Sequence, residues 1–340
     1  MGTVLRVGII GLGGMGLYHA KNLHSKIGAS AISGFFEPDE KNAAKVREEC
    51  GNPTRYNDPM ELIRSDETGA VVIASPDSTH AQLALECLEN KKPVFCEKPL
   101  ASELNDALSI VNKEAGLGKK YLSVGFQRRF DPYHLAVEQA GYSGDIGAPL
   151  LWKGIHRNPR ALYGTNGAFL LVNSAGHDVD SARWLLKSDV QTIKVLGRKS
   201  RKELPEDAAD LLLVTMEMEN GTLAQGELFL NAEYAYEVMV ELVCQRGSAT
   251  TGHTDKALLR SDSRRGFYMS GDFRGYFDEA YLSEMTEWVD SVINNRTFRG
   301  ADCWDGYSAV AVTFAGVESL HQGKTIRVNS VKKPELYKNT

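Results

Sequence analysis

Along the first third of the chain, short apolar runs alternate with stretches whose apolar residues recur at helical spacing. Leu5–Ile10 is β-rich, and helical periodicity then begins with Tyr18, Ala20 and Leu23. Ala31–Phe36 is a second run, Lys41–Cys50 a helix, Gly51-Asn52-Pro53 a turn, and Met60–Ile63 a short helix. Ala70–Ala74 is apolar throughout, as a strand covered on both faces must be. A helix over Ala81–Glu89 leads to the strand Val94-Phe95-Cys96, and a helix over Glu103–Ala115 leads to Tyr121–Gly125. This alternation predicts an α/β fold built on a doubly wound parallel sheet over residues 1–124.

Beyond residue 125 the pattern becomes strands with long excursions between them. Leu150–His156 reads as a strand, and Asn173–Leu186 as a helix with Val179, Ala182, Leu185 and Leu186 as its apolar stripe. Four strands follow at Val190–Leu196, Leu211–Met218, Leu223–Leu230 and Val238–Gln245, with Asn220-Gly221 as a hairpin turn. Their alternation predicts one covered face and one that is solvated or used for assembly. Helices over Ala280–Ile293 and Tyr307–His321 close a second domain spanning 125–330, and 331–340 reads as a loose tail.

Composition narrows the function classes. The chain has 340 residues, 42% hydrophobic and 24% charged, with a formal net charge of -5, so no global basic field recruits nucleic acid. Five scattered cysteines show no zinc-ligand spacing, and no metal is expected. An odd number of isolated thiols fits a reduced, cytoplasmic protein. No run approaches the ~20 apolar residues of a membrane helix, and the apolar N-terminus lacks a signal-peptide cleavage site. The densest basic run, Arg198-Lys199-Ser200-Arg201-Lys202, reads as a solvated turn.

The chemistry begins at Gly11-Leu12-Gly13-Gly14-Met15-Gly16, a G-x-G-x-x-G between a strand and a helix. Glycines there permit a tight turn and close approach of a pyrophosphate, which the helix N-terminus attracts. The second strand ends at Glu37, about 20 residues beyond the last glycine, where an acid accepts hydrogen bonds from ribose hydroxyls and repels a 2′-phosphate. Pro38-Asp39 supplies no arginine, so NAD is favoured over NADP. Ser75-Pro76 leaves the carboxyl end of a buried strand, close to the expected nicotinamide half. His80 either touches the cofactor or makes a structural bond at its helix start. Glu97-Lys98-Pro99 ends another strand and reads either as a solvated turn or as a cation held at a ligand crevice.

With these motifs in order, the sequence resembles the glucose–fructose oxidoreductase / inositol dehydrogenase / rhizopine-catabolism (Gfo/Idh/MocA) family over nearly its whole length. The resemblance implies a Rossmann domain followed by an α/β domain with a large, mostly antiparallel sheet, through which members assemble as dimers or tetramers. Within the family, Gly125-Phe126-Gln127-Arg128-Arg129-Phe130-Asp131, His156-Arg157-Asn158-Pro159, Asn173…His177-Asp178-Val179-Asp180, Tyr236-Glu237-Val238 and Phe277–Tyr281 look most like the bacterial inositol dehydrogenases. It implies a cofactor site of Gly11, Gly13, Gly14, Met15, Gly16, Glu37, Ser75, Pro76, His80, Glu97 and Lys98. It implies a substrate wall of Lys98, Arg128, His156, Asn158, Asn173, His177, Tyr236 and Tyr281.

Oxidising a secondary alcohol requires a hydride path to nicotinamide and a base for the hydroxyl proton. A histidine at 177, with an ordinary pKa near 6.5, suits the base. Lys98 suits orienting the oxygen and stabilising its growing charge. Family members usually carry aspartate where this chain has Asn173, four residues before His177. That departure predicts a less basic imidazole or more of the load on Lys98. Arg128 has an alternative as a structural ion pair, and Tyr236 and Tyr281 as core residues with a wet hydroxyl. The reading is an NAD-dependent dehydrogenase of an inositol-like ring. The alternatives are the same chemistry on a sugar or anhydrosugar, and a non-catalytic NAD- and sugar-binding regulator.

Overall fold

The structure is a computed structural model describing residues 3–160, 164–251, 258–261, 264–267, 269–329 and 331–338, with the backbone alone in 258–261 and 264–267. Contacts divide the chain into two compact units. One comprises Met1–Gln127, Ala280–Val310 and Val331–Thr340, and the other Arg128–Glu279 and Ala311–Ser330.

The first unit is a doubly wound domain. Its strands are β1 (Leu5–Ile10), β2 (Ser30–Phe36), β3 (Thr54–Arg55), β4 (Ala70–Ile73), β5 (Val94–Glu97) and β6 (Leu122–Gly125). Helices α1 (Gly14–Ser25), α2 (Glu40–Glu49), α3 (Pro59–Arg64), α4 (Asp77–Glu89) and α5 (Leu104–Leu117) connect them. The sheet order is β6-β5-β4-β1-β2-β3, all parallel, with Ala301–Asp302 added antiparallel to β6. Strand order reverses between β1 and β4, and ligands of such sheets bind in the crevice at that point. Every residue of β4 is buried, as its unbroken apolar run requires.

Two segments expected elsewhere belong to this unit. Helix Asp278–Ile293 brings Met285, Trp288 and Val289 into one core with Val7, Ile9, Leu23, Phe35, Val72 and Phe95. The Phe95 and Trp288 rings meet edge-on at 5.8 Å. An apolar stripe shows that a helix covers a sheet but not which sheet, so chain order alone assigned 125–330 to a single domain. The tail expected over 331–340 is anchored as far as it is described. Tyr337 is fully buried in the turn Glu335–Tyr337 and its hydroxyl donates to Glu114 at 2.7 Å; residues 339–340 lie outside the described residues.

The second unit is built on a seven-stranded sheet. Helix α6 (Pro132–Tyr142) precedes β7 (Pro149–Arg157), and β8 (Val190–Arg198), β9 (Leu211–Met218), β10 (Leu223–Phe229), β11 (Glu237–Cys244) and β12 (Ser248–Thr250) follow. The order is β12-β11-β7-β10-β9-β8, closed by Ile326–Arg327. Only the β7–β10 pairing is parallel. The β9–β10 hairpin turns through Asn220-Gly221 with Gly221 at φ 84. Burial alternates along β9 and β11, giving one covered and one open face.

Helix Gly176–Leu186 lies on the covered face, where Trp152 Nε1 donates to Ser181 Oγ at 3.3 Å. Trp152 lies so close over Gly154 that a Cβ there would meet its ring at 2.1 Å. The helix expected from Asn173 begins differently: Leu171–Ala175 is a π turn, and the α-helix starts at Gly176. Among the described residues, no helix is long and apolar enough to cross a membrane.

Candidate active site

The glycine turn between β1 and α1 is shaped by contacts that exclude side chains. Gly11 has φ 85, and a Cβ on it would lie 2.6 Å from the Ser75 nitrogen. A Cβ on Gly16 would lie 1.9 Å from the Gly11 carbonyl oxygen, which closes α1 tightly onto the turn. Gly13 differs, because nothing stands within 4 Å of its would-be Cβ. It is the N-cap of α1, and no side chain caps that helix end. Open space before an uncapped helix N-terminus suits a diphosphate.

Glu37, at the end of β2, is buried and joined to this loop. Its Oε2 accepts from the Leu12 N–H at 2.6 Å and its Oε1 from the Asp39 N–H at 2.8 Å. Each carboxylate oxygen keeps a further lone pair for a ribose hydroxyl. The cradle therefore fits a dinucleotide with a free ribose.

Two turns leave the neighbouring strand ends. After β4, Ser75 Oγ meets Thr79 Oγ1 at 2.6 Å, and Pro76 forms the N-cap of α4. After β5, Glu97 and Lys98 lead into Pro99 through a cis peptide. His80 joins the two turns. Its Nδ1 lies 2.7 Å from the Pro99 carbonyl oxygen and its Nε2 3.0 Å from that of Ser75. The ring is 1% exposed and donates from one nitrogen to one of these carbonyls, so His80 is packed as a strut between the two turns.

Glu97 is similarly engaged. Its Oε1 lies 2.6 Å from His19 Nε2, and its Oε2 accepts from the Lys98 N–H at 3.3 Å. Burial works to raise its pKa, but the hydrogen bond and charge of His19, with Lys98 and His80, outweigh burial and keep it below the ordinary carboxylate value.

The second unit holds a separate polar cluster. Arg128, in the turn Gln127–Phe130, is 1% exposed and donates from Nη1 to Asp178 Oδ1 at 2.8 Å. His156, near the end of β7, places Nδ1 2.8 Å from Asp178 Oδ2 and 3.3 Å from Arg128 Nη2. A carboxylate only accepts and arginine only donates, so Nδ1 carries the proton of the Asp178 bond and the longer Arg128 approach is a contact without a hydrogen bond. Tyr236 stands edge-on to His156 at 6.0 Å and to Tyr276 at 5.4 Å.

Burial pushes the Asp178 carboxyl up, but Arg128 and His156 outweigh it and hold the pKa at about 2. Burial also raises the Tyr236 phenol. Next to this pair, Arg129 grips Asp180 through Nε at 3.0 Å and Nη2 at 2.6 Å, so two adjacent arginines clamp the turn onto helix Gly176–Leu186.

Asn158 and Arg128 each keep a polar atom unused by protein. Asn158 Oδ1 and Arg128 Nε are buried without a hydrogen-bond partner among the described residues. Asn173 and His177 are half-buried one turn apart, and Asn173 Nδ2 donates to the Phe169 carbonyl oxygen at 3.2 Å. An aspartate could not make that bond. Tyr281, expected in the substrate wall, lies in the first unit with Lys98, edge-on to Tyr18 at 5.6 Å and His19 at 6.2 Å.

The sequence reading did not single out His19 and Asp178. Asp178 sits beside His177 in a quoted motif, but its partner Arg128 is 50 residues away, and no local spacing marks that pair.

Comparison with known proteins decides the family. The profile described as "Oxidoreductase family, NAD-binding Rossmann fold" matches residues 5–126, and the "GFO/IDH/MocA C-terminal domain" matches 134–250. The chain belongs to the Gfo/Idh/MocA oxidoreductase family. Its first unit is an NAD-binding Rossmann domain. Inositol 2-dehydrogenase of Rubrobacter xylanophilus is 38% identical over 98% of this chain and 96% of that protein. Inositol 2-dehydrogenase 1 of Saccharopolyspora erythraea is 35% identical over 98% and 99%. Among solved structures, myo-inositol dehydrogenase from Lactobacillus casei, in complex with NAD(H) and myo-inositol, aligns with a TM-score of 0.93 at 29% identity, covering 99% of this chain and all of that one.

Proposed function

We propose that this protein is an NAD-dependent dehydrogenase that oxidises a secondary hydroxyl of an inositol-like cyclic polyol. The observation carrying this reading is the charge balance of the second unit's polar cluster. Asp178 neutralises Arg128, so the arginine offers no unpaired charge to a carboxylate or phosphate and the cluster presents hydrogen-bond donors and acceptors. The inositol dehydrogenase relatives, similar over the whole chain, support the same substrate class.

Bound NAD supplies the hydride acceptor. Lys98 holds and polarises the reacting oxygen, stabilising the negative charge that grows on it. His177 takes the hydroxyl proton, and Asn173, one turn before it, orients the ring. Arg128, His156, Asn158 and Tyr236 hold the remaining hydroxyls. Tyr281 supports the cofactor domain through its packing on α1.

NADH absorbance with myo-, scyllo- and chiro-inositol, glucose, xylose and anhydrosugars tests the substrate class. Turnover is expected on at least one inositol, with kcat/KM at least about tenfold above any sugar. A better sugar substrate favours the sugar or anhydrosugar reading, and tight NAD binding without turnover favours the regulator. In Asn173→Asp, an added negative charge one helical turn from His177 favours the imidazolium, so the acid limb of the kcat/KM profile moves to higher pH. An unmoved limb removes Asn173 from the proton path.

The working form is a homo-oligomer, a dimer or tetramer, assembled through the open face of the second sheet. On that face Leu196, Leu213 and Leu223 are exposed, and Leu196 and Leu213 lie side by side across β8 and β9. Sedimentation equilibrium reads the stoichiometry, and a monomer overturns it. The cytoplasm is its compartment, since all five cysteines are buried free thiols.

A further inference from the structure

We propose that His19 is a positioning residue that, through Glu97, sets the turn carrying Lys98. The proposal rests on the dehydrogenase reading, in which Lys98 meets the reacting oxygen. His19 lies on α1 three residues after Gly16, fully buried, edge-on to Phe95 at 5.7 Å. Its Nε2 stands 2.6 Å from Glu97 Oε1, while Glu97 Oε2 accepts the Lys98 N–H at 3.3 Å. One carboxylate thus ties the cofactor helix to the peptide of Lys98.

An ionised carboxylate only accepts hydrogen bonds, so the imidazole donates from Nε2. Gly125, paired with Glu97 on the neighbouring strand, keeps the space for this carboxylate, because a Cβ there would stand 3.1 Å from Oε2.

The pair is needed because burying a carboxylate without compensation is costly. With His19 removed, Glu97 relieves that cost by taking a proton or by turning toward the neighbouring ammonium of Lys98. The first weakens its hold on the Lys98 N–H. The second draws the ammonium onto Glu97 and away from the substrate oxygen. His19 prevents both, and it acts through Glu97 rather than on substrate or cofactor.

Two variants separate this role from simple packing. His19→Leu fills the space without a donor, and His19→Gln keeps a neutral N–H. In His19→Leu, kcat and kcat/KM for the polyol are expected to fall together by about tenfold or more, with the Kd for NAD changed less than about threefold. His19→Gln is expected to recover most of that loss. On a Glu97→Gln background, His19→Leu is expected to cost less than about twofold further, because the two residues act as a unit. An unchanged kcat, equal losses in the leucine and glutamine variants, or additive losses in the double variant each overturn the proposal.

A second measurement does not need turnover. In protein labelled with [15N]lysine, the Lys98 amide signal, identified by its loss in Lys98→Arg, is expected to shift in His19→Leu and in Glu97→Gln and to return in His19→Gln. If His19→Leu does not fold, Glu97→Gln carries this test, and an unmoved Lys98 signal in it overturns the proposal. A wild-type protein that turns over no polyol sinks the dehydrogenase reading instead, and the amide signal still decides the His19–Glu97 link.

Discussion

Lys98→Ala is expected to lower kcat and kcat/KM for the polyol together by about 10²–10³-fold, with the Kd for NAD changed less than about threefold. The reason lies in when the interaction matters. A hydroxyl oxygen carries little charge in the bound substrate and a growing negative charge as its proton leaves, so a preorganised ammonium is worth most at that moment. The turn that carries Lys98 is set by the clasp of Glu97 on its N–H and by the His80 strut on Pro99, neither of which the substitution removes. Lys98→Arg is expected to restore little, because a planar fork does not reproduce a compact ammonium. Steady-state rates at saturating NAD and a fluorescence titration of NAD separate these quantities. A loss under about fivefold, or one confined to NAD affinity, makes Lys98 a cofactor residue instead.

The second large effect concerns stability. Asp178→Ala is expected to destabilise the fold by about 3–5 kcal/mol, the usual cost of leaving a buried guanidinium without its partner. Asp178→Asn keeps the shape, removes the charge and carries the pH signature. The Asp178 pKa in the folded state, about 2, lies below its unfolded value near 3.9. The group therefore stabilises the protein above about pH 4, and that contribution is lost as pH falls toward about 2. It is worth roughly 2–3 kcal/mol on this shift. Denaturant unfolding of wild type and Asp178→Asn is expected to show a gap at pH 7 that narrows between about pH 4 and 2. A gap independent of pH means that Asp178 is not the anion of this cluster.

Much of the fold was legible because its signals are local. The all-apolar run at Ala70–Ala74 yields a central parallel strand, Ala70–Ile73, because covering on both faces leaves no position for a polar residue. The Gly-rich turn and Glu37 were readable because the backbone requirements of a dinucleotide loop fall at set spacings. The hairpin at Asn220-Gly221 was readable because few residues adopt its left-handed geometry. Alternation gave the two faces of the second sheet, but local periodicity did not reveal the π turn over Leu171–Ala175.

The candidate site divided along the same line. Lys98, Glu37 and the glycines carry their meaning in position relative to one strand end. His80 had two readings in the sequence, and only the carbonyls of Pro99 and Ser75 around its ring made it a strut. Tyr281 was singled out by motif alone, and only the fold shows that its ring meets Tyr18 on α1.

By itself, then, the sequence determined the Rossmann domain, the preference for NAD, the strands of the second sheet and the residue types available for alcohol oxidation. Each follows from backbone geometry or burial periodicity within a few tens of residues. Tertiary structure decided which helix covers which sheet and which charges meet. Arg128 and Asp178 lie 50 residues apart, His19 and Glu97 78, and Glu114 and Tyr337 223. Such buried partners are stable only together, since each alone bears the cost of desolvation, and nothing in the local chain of one names the other.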